Sequence, residues 1–158
     1  MTSMARPVCS TLSLTIAKAR GAADIDEAAA LYVRSGAAAF TWRPPGYFRA
    51  EDFRMFALYE DIFLARMGNA LVGILTLLRE ETFIHCLYID PDAQRLGIGR
   101  ALVNHVRRDV GGPLTLKLDI LNRRAIAFYE ATGWERLTAL DDQGIDEMGV
   151  KWARYRLA

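Results

Sequence analysis

The chain has 158 residues, with 20 basic and 19 acidic side chains and a formal net charge of +1. This length is typical of one domain with a single core, and the balanced charge argues against a nucleic-acid-binding protein that depends on bulk positive charge. Its two cysteines, Cys9 and Cys86, suggest no disulfide framework, and no apolar run is long enough to cross a bilayer. The first ten residues lack the apolar segment of a secretory signal. We therefore expect a cytoplasmic protein with no nucleic-acid or membrane partner.

The N-terminal part is predicted to comprise a short extension, one strand and one helix. Residues 1–11 are expected to be a flexible extension, and residues 12–158 to form one domain. Apolar and polar residues alternate over 12–19, which predicts a strand with one buried face. A helix is predicted from Asp24, whose side chain can cap its first turn, to Gly36.

The next stretch is predicted to contain a loop, a helix and three antiparallel strands. Residues 40–49 include TWRPPGY, and two consecutive prolines before a glycine exclude a regular helix or a central strand. A second helix is predicted over 51–59. Apolar runs over 62–67 and 71–78, separated by a Gly-Asn pair, predict a hairpin, and residues 82–89 predict the strand that follows it.

The most informative motif is QRLGIG at residues 94–99. It follows a predicted strand that stops at Pro91 and precedes a helix in which Ile98, Leu102 and Val106 recur four residues apart. The start of a helix has unpaired backbone N–H groups and a positive dipole end, and glycine lets a phosphate approach the chain closely. The motif alone is also compatible with an ordinary tight loop, but its position between strand and helix predicts a pyrophosphate-binding loop. A Walker P-loop is excluded because no Gly-Lys-Ser/Thr follows, and no full G-x-G-x-x-G is present.

The C-terminal part is predicted to add one strand parallel to the strand before the motif, one helix and two final strands. Residues 114–120 alternate apolar and polar side chains, and the helical crossover favours the parallel arrangement. Asn122 can cap a short helix that carries Tyr129. Residues 134–140 and 151–157 are predicted to be strands on either side of an acidic turn. The acidic residues of that turn are Asp141, Asp142, Asp146 and Glu147.

Two segments together resemble the GCN5-related N-acetyltransferases (GNAT). The segment YIDPDAQRLGIGRALV has the family's Q-x-x-G-x-G signature after a strand, and NRRAIAFYEATGWER has its asparagine, tyrosine and closing glycine in register. The resemblance covers essentially residues 12–157. It implies an α/β (α+β) fold with a central, mixed but mostly antiparallel twisted sheet of about seven strands and about four helices. In this family a bulge in the strand before the signature separates that strand from the next one.

The resemblance also implies a donor and a reaction. Acetyl-CoA would be the co-substrate and a primary amine the acceptor, attacking the thioester directly in a ternary complex. Arg95 and Arg100 would add charge toward the phosphates, and Asn122 matches the asparagine that contacts the cofactor arm. The residues expected to bind the cofactor are Leu87, Tyr88, Ile89, Gln94, Arg95, Leu96, Gly97, Ile98, Gly99, Arg100 and Asn122. No metal is expected, because two histidines and two cysteines at scattered positions have no ligand spacing.

The resemblance assigns the general acid to Tyr129, while helical spacing alone favours a core aromatic residue. His85 is the candidate for the base because histidine exchanges protons near neutral pH; many members of the family have Asp or Glu near this point. The alternatives are a histidine with a purely structural role, or a water relayed from Glu81 or Glu130. Cys86 is expected to be buried, and to point to the opposite face from His85 because neighbouring strand residues alternate.

The sequence says least about the identity of the acceptor. In the family the first loop and the last hairpin form the walls of the acceptor pocket, which points to Trp42, Tyr47 and Asp146. Ordinary packing of these aromatic rings and a solvated acidic turn are the alternatives. A compact aromatic loop slightly favours a small amine over a peptide amine. A non-catalytic acyl-CoA-binding module and a homodimer formed through the sheet edges also stay open.

Overall fold

The computed structural model describes residues 12–158. Among these residues it has eight strands and four α-helices. In chain order the elements are β1 (Leu14–Lys18), α1 (Ala22–Ala39), α2 (Ala50–Phe56), β2 (Asp61–Met67), β3 (Ala70–Leu78), β4 (Phe83–Ile89), α3 (Ile98–Val110), β5 (Leu114–Asp119), α4 (Arg123–Ala131), β6 (Glu135–Arg136), β7 (Gln143–Ile145) and β8 (Lys151–Leu157). The predicted extension over residues 1–11, which includes Cys9, lies outside the described residues.

The strands form one sheet in the order β1-β2-β3-β4-β5-β8-β6, and β7 also pairs with β8. Among the strands of residues 12–158, only the β4–β5 pair is parallel, and α3 makes the crossover between these two strands. The prediction of a mixed, mostly antiparallel sheet is therefore confirmed, as is the hairpin now seen as β2 and β3. No helix among the described residues is long and apolar enough to span a membrane.

The end of the chain differs from the prediction. The strand predicted over 134–140 is reduced to the two residues of β6, and a short turn of 3-10 helix at Leu140–Asp142 interrupts the chain. Part of the predicted acidic turn becomes β7, which pairs with the start of β8 while β6 pairs with its end. Two short strands thus share one edge of β8, which accounts for eight strands where about seven were expected.

Helices cover the sheet on both faces and create two hydrophobic cores. The first, the α3 core, packs α3 and Tyr129 of α4 on residues of β2, β3, β5 and β8. The second, the α1 core, packs α1 and α2 on β2, β3 and β4, and includes Cys86. β3 is buried on both faces because it lies between the two cores, and this explains its continuous apolar sequence.

A β-bulge at His85 is the main irregularity of β4. Ile84 pairs with Leu77 and Cys86 pairs with Thr76, so His85 has no partner on β3. The Cys86 N–H donates to the hydroxyl of fully buried Thr76 at 3.1 Å, which satisfies an amide beside the bulge.

The bulge interrupts the alternation of side chains along β4. Ile84 belongs to the α3 core, whereas Cys86 belongs to the α1 core. His85 also lies toward the α1 and α2 layer, with its ring centroid 4.4 Å from that of Phe56. The expectation that His85 and Cys86 point to opposite faces is therefore wrong, because the inserted residue shifts the period of the strand.

The first helix also differs from the prediction at both ends. It starts at Ala22 after Gly21, so Asp24 lies inside its first turn, where its carboxylate accepts the Arg20 N–H at 2.8 Å. It continues beyond Gly36 to Ala39. Gly36 therefore lies inside the helix and does not end it. Glycine is needed there for packing, since a Cβ at this position would lie 2.5 Å from the ring of Phe48.

We expect Gly36→Ala to destabilise the protein by about 1 kcal/mol. Overpacking costs roughly 1–3 kcal/mol, and the gain of about 1 kcal/mol in helix propensity offsets only part of it. Urea unfolding measures the difference. Gly112→Ala is the matched control, since a Cβ there would have no neighbour within 4 Å. A Gly36→Ala midpoint above that of Gly112→Ala by the full gain in helix propensity would show that the Phe48 ring moves aside without cost.

Candidate active site

A cleft of about 930 Å³ opens where β4 and β5 diverge. The two strands pair only at Phe83–Thr115 and Ile84–Leu116, just before the bulge. Beyond this point both strands line the cleft, together with α4 and all but Leu96 of residues 94–99, which we call the glycine loop. The cleft therefore follows directly from the early separation of the parallel pair.

The glycine loop presents backbone donors at the start of α3. Arg95 and Gly97 have left-handed conformations, with φ of +65° and +75°. Successive residues of this kind turn neighbouring N–H groups toward one side and form an anion-binding concavity. The first main-chain bond of α3 runs from Ala101 to the Gly97 carbonyl at 3.0 Å, so the N–H groups of residues 98–100 precede the helical ladder. These donors fit a phosphate group.

Four arginines line the same cleft as these amide donors. Arg95 and Arg100, which the sequence singled out, line it together with Arg123 and Arg124 from the first turn of α4. Sequence reasoning missed the second pair, although both residues directly follow Asn122. Four arginines in one cleft favour a ligand with several negative charges.

Gln94 and Asn122, both predicted to bind the cofactor, each form a hydrogen bond with the backbone through one side-chain atom. Gln94 Nε2 donates to the Ile89 carbonyl at 3.2 Å and ties the glycine loop to the end of β4. Asn122 caps α4 as predicted, since its Oδ1 accepts the Ala125 N–H at 3.2 Å. The amide N–H groups of Asn122 stay available to a ligand, because capping uses the oxygen alone.

Tyr129 lies on α4 with its ring in the α3 core and also lines the cleft. The ring packs edge to face on Trp134, with centroids 5.3 Å apart. Burial, with a smaller contribution from Cys86, raises the pKa of the Tyr129 hydroxyl. The group therefore stays protonated at neutral pH and can act as a proton donor.

His85 lines the same cleft, and a carboxylate lies beside it. Its Nδ1 is 2.8 Å from Oε1 of Glu60, whose side chain is only 7% exposed. The carboxylates considered in the sequence, Glu81 and Glu130, do not line the cleft. Glu60 was missed because it precedes β2, 25 residues away from His85 along the chain.

The predicted acceptor residues are brought together by an arginine that sequence reasoning did not single out. Arg43 is 6% exposed, and its Nη2 lies 2.8 Å from Asp119 and 2.6 Å from Asp146. Trp42 Nε1 donates to the same Asp119 carboxylate at 3.0 Å, and Tyr47 stacks under the Arg43 guanidinium. The aromatic loop, the end of β5 and the acidic turn thus meet at Arg43.

Most of the predicted site residues line the cleft. Trp42 lines it, whereas Tyr47 and Asp146 lie behind it around Arg43, and Leu96 points away with 61% of its surface exposed. The predicted residues that line the cleft are Trp42, His85, Leu87, Tyr88, Ile89, Gln94, Arg95, Gly97, Ile98, Gly99, Arg100, Asn122 and Tyr129. Among residues 12–158, no group of three His, Cys, Asp or Glu side chains is placed to hold a metal ion.

The diverging strands, the amide-rich loop and the buried tyrosine define the site of an acyltransferase, and comparisons with known proteins agree. The model of the acetyltransferase (GNAT) family matches residues 26–134. The [ribosomal protein bS18]-alanine N-acetyltransferase of Escherichia coli K12 is 31% identical over 118 residues, which cover 72% of this chain and 77% of that enzyme. The chain therefore belongs to the GNAT family, and the predicted family and enzyme class are confirmed.

Two further proteins extend the comparison. The peptidyl-lysine N-acetyltransferase YjaB of E. coli K12 is 32% identical over 72 residues, 46% of each chain. The apo YjaB solution structure covers 91% of this chain and 97% of its own, with a TM-score of 0.75 and 22% identity. The PaiA N-acetyltransferase of Thermoplasma acidophilum in complex with coenzyme A covers 90% of this chain and 98% of its own, with a TM-score of 0.72 and 14% identity. The two structures confirm the predicted fold.

We expect Arg43→Met to loosen the aromatic loop and to leave the donor site intact. Two carboxylates would lose a shared charged donor, and such a bond is worth more than a neutral one. The KM for the acceptor should rise at least roughly tenfold, and amides of residues 40–49 should exchange faster with deuterium, while acetyl-CoA affinity stays unchanged. Arg49→Met, which removes an exposed ion pair with Asp52, is the matched control. Equal effects of both substitutions would contradict the role of Arg43.

Proposed function

We propose that this protein transfers the acetyl group of acetyl-CoA to a primary amine of a peptide or protein, by direct attack within a ternary complex. The observation that carries the proposal is the separation of β4 from β5, which leaves the backbone of residues 87–89 free of β5 and beside the glycine loop. An amide-bearing arm can pair with such a strand edge as an added strand does. The pyrophosphate would lie on the amides of residues 98–100, with the four arginines around it.

We assign the proton transfers and the binding of the cofactor arm to residues of the cleft. Acetyl-CoA supplies an acetyl group activated as a thioester. Tyr129 would donate its hydroxyl proton to the departing sulfur, and His85 would accept a proton from the acceptor ammonium. Asn122 would donate its amide N–H groups to the arm of the cofactor.

Direct attack is supported by the state of Cys86, which is the nucleophilic side chain nearest to His85 in sequence. Cys86 is 4% exposed, and burial raises the pKa of its thiol to about 12. A protonated, buried thiol is a poor nucleophile. Burial therefore disfavours a route through this cysteine, which supports direct attack of the amine on the thioester.

We expect Tyr129→Phe to lower kcat about 100-fold, the scale of a lost general acid, and to leave the dissociation constant of acetyl-CoA unchanged. Thiol release and calorimetry measure the two quantities. Because the pKa of Tyr129 is raised, the wild type should show no alkaline decline from this group below its ordinary value of about 10. Tyr155→Phe, in the core and outside the cleft, is the control. An unimpaired Tyr129→Phe would remove Tyr129 as the acid.

A polypeptide acceptor is supported by exposed apolar side chains next in sequence to residues that contact His85 and Arg43. Leu58 and Tyr59 directly precede Glu60, and Ile145 and Met148 lie within two residues of Asp146; all four are more than half exposed. Exposed apolar side chains beside such residues are consistent with protein contacts. The bS18 and YjaB enzymes act, by their names, on a protein alanine and on peptidyl lysine. These observations favour a peptide amine over the small amine that the aromatic loop suggested.

An acceptor panel tests this choice. We expect a peptide to be acetylated with a kcat/KM at least roughly tenfold above that of the same residue as a free amide, because flanking residues add contacts. One peptide set has a free α-amine and no lysine, and the other has a blocked N-terminus and one lysine. Mass spectrometry identifies the modified nitrogen. Preference for free amines or polyamines over both sets would refute a peptide acceptor.

The cellular setting and the assembly are further parts of the proposal. We infer a cytoplasmic location, which acetyl-CoA as donor and the unpaired thiol of Cys86 support. Residues 12–158 would act as one domain, because both cores pack on the same sheet. The α3 core includes residues from β2 to β8, and the α1 core includes residues of β2, β3 and β4. The edge strand β1 offers a surface through which a homodimer could form.

A further inference from the structure

The Glu60–His85 pair combines a buried carboxylate with an imidazole at the mouth of the cleft. Both carboxylate oxygens approach Nδ1 of His85, at 2.8 and 3.2 Å. The Glu60 side chain is 7% exposed, whereas that of His85 is 40% exposed. Burying a carboxylate is unfavourable unless a donor compensates for the lost water. Among the described side chains, His85 is the one that supplies this donor.

This contact determines where the imidazole keeps its proton. An ionised carboxylate accepts hydrogen bonds and has none to donate. Nδ1 must therefore carry the hydrogen that it donates to Glu60, and in the neutral ring the lone pair lies on Nε2. No described residue forms a hydrogen bond with Nε2, so this nitrogen is available to a molecule in the cleft.

Neighbouring rings hold the imidazole in this orientation. The Phe56 ring contacts it edge to face at 4.4 Å between centroids, and the Phe83 ring stacks at 6.4 Å. Phe56 also anchors Glu60, because the Glu60 N–H donates to the Phe56 carbonyl at 2.9 Å. Since His85 is the inserted residue of the bulge, the strand turns its side chain toward this group of residues. Both members of the pair are thus fixed by the same turn after α2.

We propose that Glu60 is a positioning residue that keeps His85 in the tautomer required of a base; this inference rests on the proposed function. Nε2 takes a proton from the acceptor ammonium: one N–H bond of the ammonium breaks, an Nε2–H bond forms, and the freed lone pair of the amine attacks the thioester carbonyl. The C–N bond forms and the C–S bond breaks, the departing sulfur takes the Tyr129 hydroxyl proton, and the second proton of the nitrogen restores that hydroxyl. The positive charge moves to the imidazolium, where the Glu60 carboxylate stabilises it. The imidazolium then returns its proton to solvent.

Glu60→Gln tests the role, because glutamine keeps the shape but removes the charge and adds an amide N–H that can donate to Nδ1 of the other tautomer. We expect kcat to fall at least roughly tenfold, as for a lost orienting partner, with acetyl-CoA affinity and unfolding midpoint unchanged. Glu80→Gln, an exposed carboxylate on the turn before β4, is the matched control. In a His85→Gln background, Glu60→Gln should cause no further loss, since the two side chains act as one unit.

Nitrogen-15 spectra of the histidine rings provide a readout that does not depend on activity. The wild type should show His85 protonated at Nδ1 in its neutral form, and Glu60→Gln should shift His85 toward the other tautomer. Losses that multiply in the double variant, or an unchanged tautomer, would overturn the positioning role while leaving acetyl transfer intact. A wild type that binds acetyl-CoA and acetylates no amine would instead overturn the proposed function, and the inference with it.

Discussion

The site depends on one irregularity, the extra residue that His85 inserts into β4. The bulge bends the strand away from β5 after two paired residues, and the cleft occupies the space between them. Thr76 stabilises the bulge in the centre of the sheet. Its hydroxyl accepts a hydrogen bond from the Cys86 N–H, which would otherwise be buried without a partner. A threonine in an otherwise apolar central strand thus has a specific structural purpose.

The donor side and the acceptor side of the cleft depend on different kinds of contact. On the donor side, the proposed phosphate-binding groups are backbone amides at the start of α3, and arginines line the same cleft. On the acceptor side, the structure relies on side-chain bonds between distant segments. Arg43 joins the aromatic loop to Asp119 and Asp146, and Glu60 joins the end of α2 to His85.

This difference explains what could be predicted from the sequence. Helices, strands and the glycine loop follow from local periodicity and turn chemistry, so the sequence predicted most of the fold and most of the residues proposed for the donor, nearly all of which line one cleft. The register of strand pairing is not a local property. The bulge and the shared orientation of His85 and Cys86 could therefore not be predicted from the sequence. The pairs made by Glu60 and Arg43 span 25 and more than 70 residues, and no spacing rule connects such positions. Gly36 misled because glycine is required there for packing rather than for ending a helix.

The left-handed turn at Arg95 and Gly97 has a further consequence for how this protein can diverge. Main-chain amides are present whatever side chains the loop carries, so the proposed donor recognition depends little on the side chains of the loop. The acceptor wall is held by a few charged side chains, and a single exchange at one of them reshapes it. Such a scaffold can acquire new acceptors by point mutation while it keeps its source of acetyl groups, which is the condition under which one ancestral gene yields many enzymes with separate targets.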